Sequence, residues 1–305
     1  MIIIADNVDV SSYVGTITWS GDINQMARKL AFDYLYTDLS QDIVQIEITI
    51  GSRVLMYSDS EELLFDGIVI SEEFDESDIK KSIQAADYAF YLKSEVYGEF
   101  KGTPCHVAAT VLAMFGIEAG RLPPDAGEVS ILATGDKTIY QVITEAYESV
   151  GSSVYICMSG TLLNVEKIGS HPAGMVTGDD SVISARYKSS MENMINRVAV
   201  INASSSLITN VDSEDTKYGI IQKVYKHDSR DKDMMTEAMK LFKSLENSGS
   251  ISVKGDISYT AGRSVIVEKV NSKIQGVFNI TSDSHTFSSG QHTANLTLDF
   301  SGVVE

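Results

Sequence analysis

The stretch 17–36, ITWSGDINQMARKLAFDYLY, constrains the fold more than any other part of this chain. Thr16, Thr18 and Trp19 have the β-branched and aromatic character of a pleated surface, and Leu30, Phe32, Tyr34 and Tyr36 then recur at period two. That period places the four apolar side chains on one face and Lys29, Ala31 and Asp33 on the other. Such a strand has one face in a core and one half solvated. Gly21-Asp22 interrupts the alternation, so a tight polar turn is expected at 20–22, joining two antiparallel strands.

The same period continues on both sides of a helical middle. Val44, Ile46, Ile48 and Ile50 alternate with polar residues, Gly51-Ser52 turns the chain, and strands follow at 54–57, 63–74 and 79–85, the last two separated by an acidic turn at 75–78. Thr103-Pro104 then offers an N-cap with Pro at the first helical position, Val107, Val111, Met114 and Phe115 share a face, and Gly116 stops the run. A second helix begins with the capping-box pair Thr138 and Gln141, carries the stripe Ile139, Val142, Ile143, Ala146 and Val150, and ends at Gly151. A hairpin at 154–158 and 161–168, turning at Ser159-Gly160, closes this region.

Residues 169–178, with His171-Pro172 and three glycines, have the composition of a linker. Strands resume at 182–187 and 197–201, a polar loop occupies 204–215, and a strand follows at 219–225. One helix, over about 231–247, is expected to be capped by Asp231, to bury Met234, Ala238, Leu241 and Leu245, and to end at Gly249. Met235 and Met239 suit core or interface packing. Strands at 251–257, 264–270, 277–281 and 294–300 complete the chain. The fold class is therefore mainly β with α+β. The expected domains are a first β domain at 1–97, a small α/β domain at 98–170 and a second β domain with an inserted helix at 171–305.

Composition narrows the function. A formal net charge of −18 repels a phosphate backbone and speaks against specific nucleic-acid binding. Two cysteines, Cys105 and Cys157, make no disulfide framework and are expected reduced and buried. No signal peptide and no apolar run of the length of a membrane span is legible, so the chain is expected to be made in the cytoplasm.

No catalytic constellation stands out. Cys105 and His106 are adjacent at a helix start, where neighbouring side chains diverge by about 100°. The richest carboxylate cluster, Asp66, Glu72, Glu73, Asp75, Glu76 and Asp78, is expected to be a solvated turn, with a paired-carboxylate hydrolase as the alternative. Asp212, Glu214 and Asp215 lack the Gly and distal Glu of a calcium loop. One group merits a metal test. If Ser288-Ser289 tip a hairpin, His285 pairs with His292 and Asp283 lies on the same face, a two-His, one-carboxylate set. Polar residues near an exposed hairpin end are the plainer reading, and no cofactor is assigned.

Several motifs, in order, resemble one family. They are the Trp19-Ser20-Gly21-Asp22 run, Ala27-Arg28-Lys29-Leu30 with its aromatic strand, FKGTP at 100–104, SMENMINRV at 190–198 and KYGIIQKV at 217–224. GDISYTAGRSVIV, GVFNITSDSHTF and HTANLTLDF follow at 255–267, 276–287 and 292–300. Together they resemble the tail hub (late control) proteins of contractile-tailed phages and of PBSX-like prophage elements. The resemblance implies two tube-like β-barrel domains flanking the α/β domain. It further implies a homotrimer that adapts a sixfold tail tube to a threefold spike, with tube, spike and other baseplate proteins as partners. The resemblance implies no enzymatic activity, no membrane and no specific nucleic-acid partner, with a channel open to DNA in a DNA-carrying phage and empty of it in a bacteriocin-like device.

Overall fold

The computed structural model describes residues 1–36, 47–74, 79–178, 181–214, 217–227, 233–270 and 273–300. These form two compact units, Met1–Ala185 together with Ser250–Glu305, and Arg186–Gly249.

The first unit opens with β1 (Ile2–Ala5), β2 (Val8–Asp9), β3 (Val14–Asp22), β4 (Lys29–Leu35), β5 (Arg53–Tyr57), β6 (Leu63–Phe74) and β7 (Lys80–Asp87). A smaller layer follows, made of β8 (Glu95–Gly102), α1 (Pro104–Met114), β9 (Val129–Thr138), α2 (Ile139–Glu148), β10 (Val154–Ser159) and β11 (Leu162–Lys167). Next come β12 (Pro172–Thr177) and β13 (Val182–Ser190). The second unit holds β14 (Arg197–Ile201), β15 (Leu207–Asp212), β16 (Gln222–Lys226) and α3 (Met234–Met239). β17 (Glu246–Lys254), β18 (Ser264–Glu268), β19 (Gly276–Ser288) and β20 (Gln291–Asp299) end the chain.

One long sheet runs in the order β17-β20-β19-β3-β4-β7-β6-β5-β1-β2 and curls into an antiparallel half-barrel. β18 adds to β19, and β12 lies parallel on β18. The join between early and late sequence is the β3–β19 ladder, in which Trp19 faces His285 and Gly21 faces Asp283. The concave core has the period expected of β4: Leu30, Phe32 and Tyr34 are at most 2% exposed. They pack with Ile3, Val54, Met56, Ile83 and Ala85. Each such side chain contributes about 1.5–3 kcal/mol by leaving water.

Several expectations are corrected. Residues 20–22 are not a turn: β3 runs through them to Asp22, and the connection is 23–28. Gly21 interrupts the hydrophobic alternation without interrupting the strand, for a reason found in the polar cluster beneath it. Val44 and Ile46 lie outside the described residues. Ile48 is buried, but Ile50 is 66% exposed at the turn made by Gly51 (φ 91°), so 47–50 is not a strand. The presumed linker 169–178 contains β12, and the presumed loop 204–215 contains β15. In β12 small residues concealed a strand whose pairing partner, β18, is distant in sequence; β15 is the second arm of a hairpin with β14, and Thr209 and Asn210 broke its apolar run.

The helical layer follows its capping chemistry. Thr138 Oγ1 accepts from Gln141 N–H at 3.2 Å, and Gln141 Oε1 accepts from Thr138 N–H at 2.8 Å. Ile139, Val142, Ile143 and Ala146 are fully buried against α1 and β9. In α1 the buried stripe is Val107, Ala108, Val111 and Leu112, whereas Met114 and Phe115 are exposed. At about 100° per residue, that stripe puts Met114 at its margin, and Phe115 has already left helical geometry. The β10–β11 turn is Gly160-Thr161, one position later than expected, since Ser159 pairs with Leu162.

In the second unit, α3 covers Val198, Val200 and Val211 with Ala238. It is shorter than expected, because Asp233 accepts from Met235 and Thr236 N–H and starts the helix there; Asp231 lies outside the described residues. Met235 and Met239 are exposed. Among the described residues no helix is long and apolar enough to cross a membrane.

Candidate functional site

The richest constellation of interacting polar side chains lies where β3, β19 and β20 meet the segment 255–263. It begins with Gly21. A Cβ at that position would sit 2.5 Å from Arg28 Nη1 and 2.9 Å from its Cζ, so the glycine leaves the space through which the Arg28 side chain crosses the sheet. The guanidinium lies 4.0 Å from the Trp19 ring centroid and forks onto Asp283, donating from Nη1 to Oδ1 at 2.9 Å and from Nη2 to Oδ2 at 2.5 Å. A bidentate pair of this kind fixes both distance and plane. Burial alone raises the Asp283 carboxyl; the Arg28 charge and the neighbouring His285 outweigh it and hold that carboxyl below the usual carboxylate range.

Asp283 also accepts from Ala261 N–H at 2.6 Å. One step along the same face, His285 is fully buried and gives its Nε2 hydrogen to the Tyr259 carbonyl at 3.0 Å. Its Nδ1 lies 2.9 Å from His292 Nε2. Burial, then the neighbouring His285, pushes His292 down to about 4, so this imidazole is neutral at pH 7. The segment 255–263 is further tied by Gly255 N–H to the His292 carbonyl and Gly262 N–H to the Ile280 carbonyl, both at 2.8 Å.

The hairpin tip is Ser289-Gly290, with φ of 50° and 74°, and not Ser288-Ser289. His292 therefore pairs with Phe287, and His285 with Ala294. The expected His285–His292 pairing is corrected to a diagonal contact on one face, and Asp283 does share that face. All three residues of the proposed metal set are brought together, but the Asp283 oxygens, both His285 nitrogens and His292 Nε2 are engaged by Arg28, Tyr259, Ala261 and each other. Among the described residues no group of three or more His, Cys, Asp and Glu side chains is arranged to hold a metal ion.

Asp87 anchors the other end of Arg28. It accepts from Arg28 N–H at 3.2 Å and from Ala89 N–H at 3.1 Å. Burial pushes its carboxyl up to about 7, against the opposing pull of those two amides and the Arg28 charge. The acidic cluster is also corrected. Asp66 is not solvated: it is 5% exposed in β6 and accepts from Arg53 Nε at 2.9 Å and Nη2 at 2.6 Å. Glu72 pairs with Lys81 at 2.6 Å, and Asp75, Glu76 and Asp78 lie outside the described residues. Cys105 and Cys157 are free thiols and half-buried, not fully so. Burial, then the Glu166 carboxylate, pushes the Cys157 thiol up to about 12, far from nucleophilic at neutral pH.

The half-barrel with its helical layer is a fold shared with tail proteins of prophages. The 43 kDa tail protein of prophage MuSo2 from Shewanella oneidensis superimposes with a TM-score of 0.75 at 16% identity, over 98% of this chain and 95% of that one. The tail protein from Neisseria meningitidis MC58 gives 0.68 at 15% identity, over 99% and 96%. An Escherichia coli protein, c3393, described as a component of the type VI secretion system similar in structure to the T4 tail proteins gp27 and gp5, gives 0.56 at 8% identity, over 94% and 73%. The sequence pattern of the YQBQ-like family spans residues 17–299, and the chain belongs to that family. No curated protein matches this chain in sequence.

Proposed function

We propose that this protein is a structural component of a phage tail or tail-like particle, acting as its baseplate hub. The observation that carries this reading is the likeness to two tail proteins, one of them from a prophage, over nearly the full length of both chains. In this reading three copies form a homotrimer that meets a sixfold tail tube on one side and a threefold spike on the other. Other baseplate proteins pack around it. Residues 1–97 and 171–305 supply tube-like barrel walls and 98–170 the layer between them, and the net charge of −18 keeps passing DNA from adhering. Made in the bacterial cytoplasm, it leaves as part of the particle. It does no chemistry: its work is burial at obligate interfaces, which takes about 2,000 Å² or more of surface.

The test is the mass of the purified protein by light scattering, alone and with the tube and spike proteins of the same particle. A mass near three times 33.2 kDa that grows on adding either partner is expected. A monomer at every concentration that binds neither partner overturns the reading.

A further inference from the structure

The segment 255–263 does more than close a loop. Its Ser258 hydroxyl donates to the Ala173 carbonyl at 2.8 Å and its Tyr259 hydroxyl to the Met175 carbonyl at 3.3 Å. Both acceptors belong to β12, whose only ladder partner among the described residues is β18. The segment thus covers the open edge of a short, uncharged strand of the kind that other chains add to when it is bare. On its inner side it is held by Asp283 through Ala261, by His285 through the Tyr259 carbonyl and by His292 through Gly255. Gly255 lies flat against the His292 ring, where a Cβ would come within 2.1 Å.

We infer that 255–263 is an acid-released strap: a second proton on the His285–His292 pair breaks its hold and bares the outer edge of β12. The argument is one of valence. A contact of 2.9 Å between Nδ1 and Nε2 accommodates a single hydrogen. His285 Nε2 already carries one for Tyr259, so protonating both rings sets two N–H groups and two positive charges against each other. The rings must separate, and the strap rests on both.

The other groups facing the pair relieve little of this. Asp283, 3.4 Å from His285 Nε2, already shares its charge with the forked Arg28 guanidinium, so the two together bring no net charge to the pair. Asp256, on the strap, favours the His292 charge only weakly against burial. Trp19 and Phe287 pack on the rings and carry no charge. A cavity of about 410 Å³ bordered by His292, Asp59 and Met1 gives water a route to the pair. Burial and then the neighbouring His285 push His292 down to about 4, which sets the opening near that pH.

Amide hydrogen exchange on the full chain tests this, with the strap amides of Gly255, Ala261 and Gly262 compared with β5 amides as an internal reference. After correction for intrinsic rates, strap exchange relative to β5 is expected to rise tenfold or more between pH 7 and 4. In His292→Phe that step is absent. If this variant does not fold, His285→Gln replaces it, keeping an N–H for Tyr259 while unable to take a second proton. A strap that tracks β5 across the range, or an unchanged step in the variant, overturns the inference.

Discussion

Replacing Gly21 with alanine tests the polar cluster through a single methyl group. A Cβ there lies 2.5 Å from Arg28 Nη1 and 2.9 Å from Cζ, inside any tolerable contact, so the guanidinium must move. Arg28 has the torsional freedom to do so, but its fork is seated on Asp283, whose side chain has no exposure. Displacing it leaves a buried carboxylate short of its partner, a loss of about 3–5 kcal/mol when complete. Alanine returns about 0.5–1 kcal/mol through its lower chain entropy in a strand. The net expectation is destabilisation by about 2–4 kcal/mol. Gly15, in the same strand, is the control, since a Cβ there meets only the Asp33 carbonyl at 3.8 Å, an ordinary contact. Gly15→Ala is expected to be neutral or slightly stabilising. Urea unfolding followed by Trp19, the only tryptophan, reads both variants from beside the guanidinium. Equal midpoints for the two would refute the role assigned to Gly21.

Asp87 gives a pH signature: its folded value of about 7 lies above the unfolded value of about 3.9, so its contribution is full below pH 4 and is lost as pH rises to 7. Urea midpoints of Asp87→Asn are expected to lack that decline. His292 acts in the opposite sense, its lowered value giving stability that is full above about pH 6.5 and lost as pH falls toward 4, a slope that His292→Phe removes in the same titration. Arg53→Ala takes the charged partner from the buried Asp66 but, with the guanidinium half exposed, should cost about 1–2 kcal/mol by urea unfolding, whereas Arg53→Met with Asp66→Leu recovers most of it. Thr138→Ala removes one half of a capping box and should cost about 1 kcal/mol, measured the same way.

The local grammar of the fold was legible. The period of β4, the capping box of α2 and the bounds of β6 and β14 follow from side-chain alternation and cap chemistry, which depend on neighbours in sequence. What escaped has two causes. β12 is a strand because β18, far along the chain, lies beside it, whereas β15 is the near arm of a hairpin with β14 whose apolar run is broken by Thr209 and Asn210. The two hairpin turns, at Gly160-Thr161 and Ser289-Gly290, each lie one residue later than the local composition indicates. Moving a two-residue turn by one position changes the pairing by two and so preserves the face. That is why His285 and His292 do meet, although not opposite each other.

The same reasoning explains how a clamp resembled a metal set. Two histidines and an aspartate on one face of a hairpin are what a metal needs, and equally what is needed to hold a neighbouring segment by its backbone. The deciding residues lay elsewhere: Arg28, 255 positions away, which occupies the aspartate, Ala261, whose N–H adds to the same carboxylate, and Tyr259, whose carbonyl occupies His285 Nε2. One trace was present in the Trp19-Ser20-Gly21-Asp22 run from the start. A glycine inside a strand marks close approach by something large. With an arginine seven residues on and a tryptophan two residues before on the same face, the object approaching Gly21 is a guanidinium, and a guanidinium crossing a sheet requires a buried carboxylate on the next strand. Asp283 is that carboxylate, which makes the glycine, and not the histidines, the residue from which the cluster can be read.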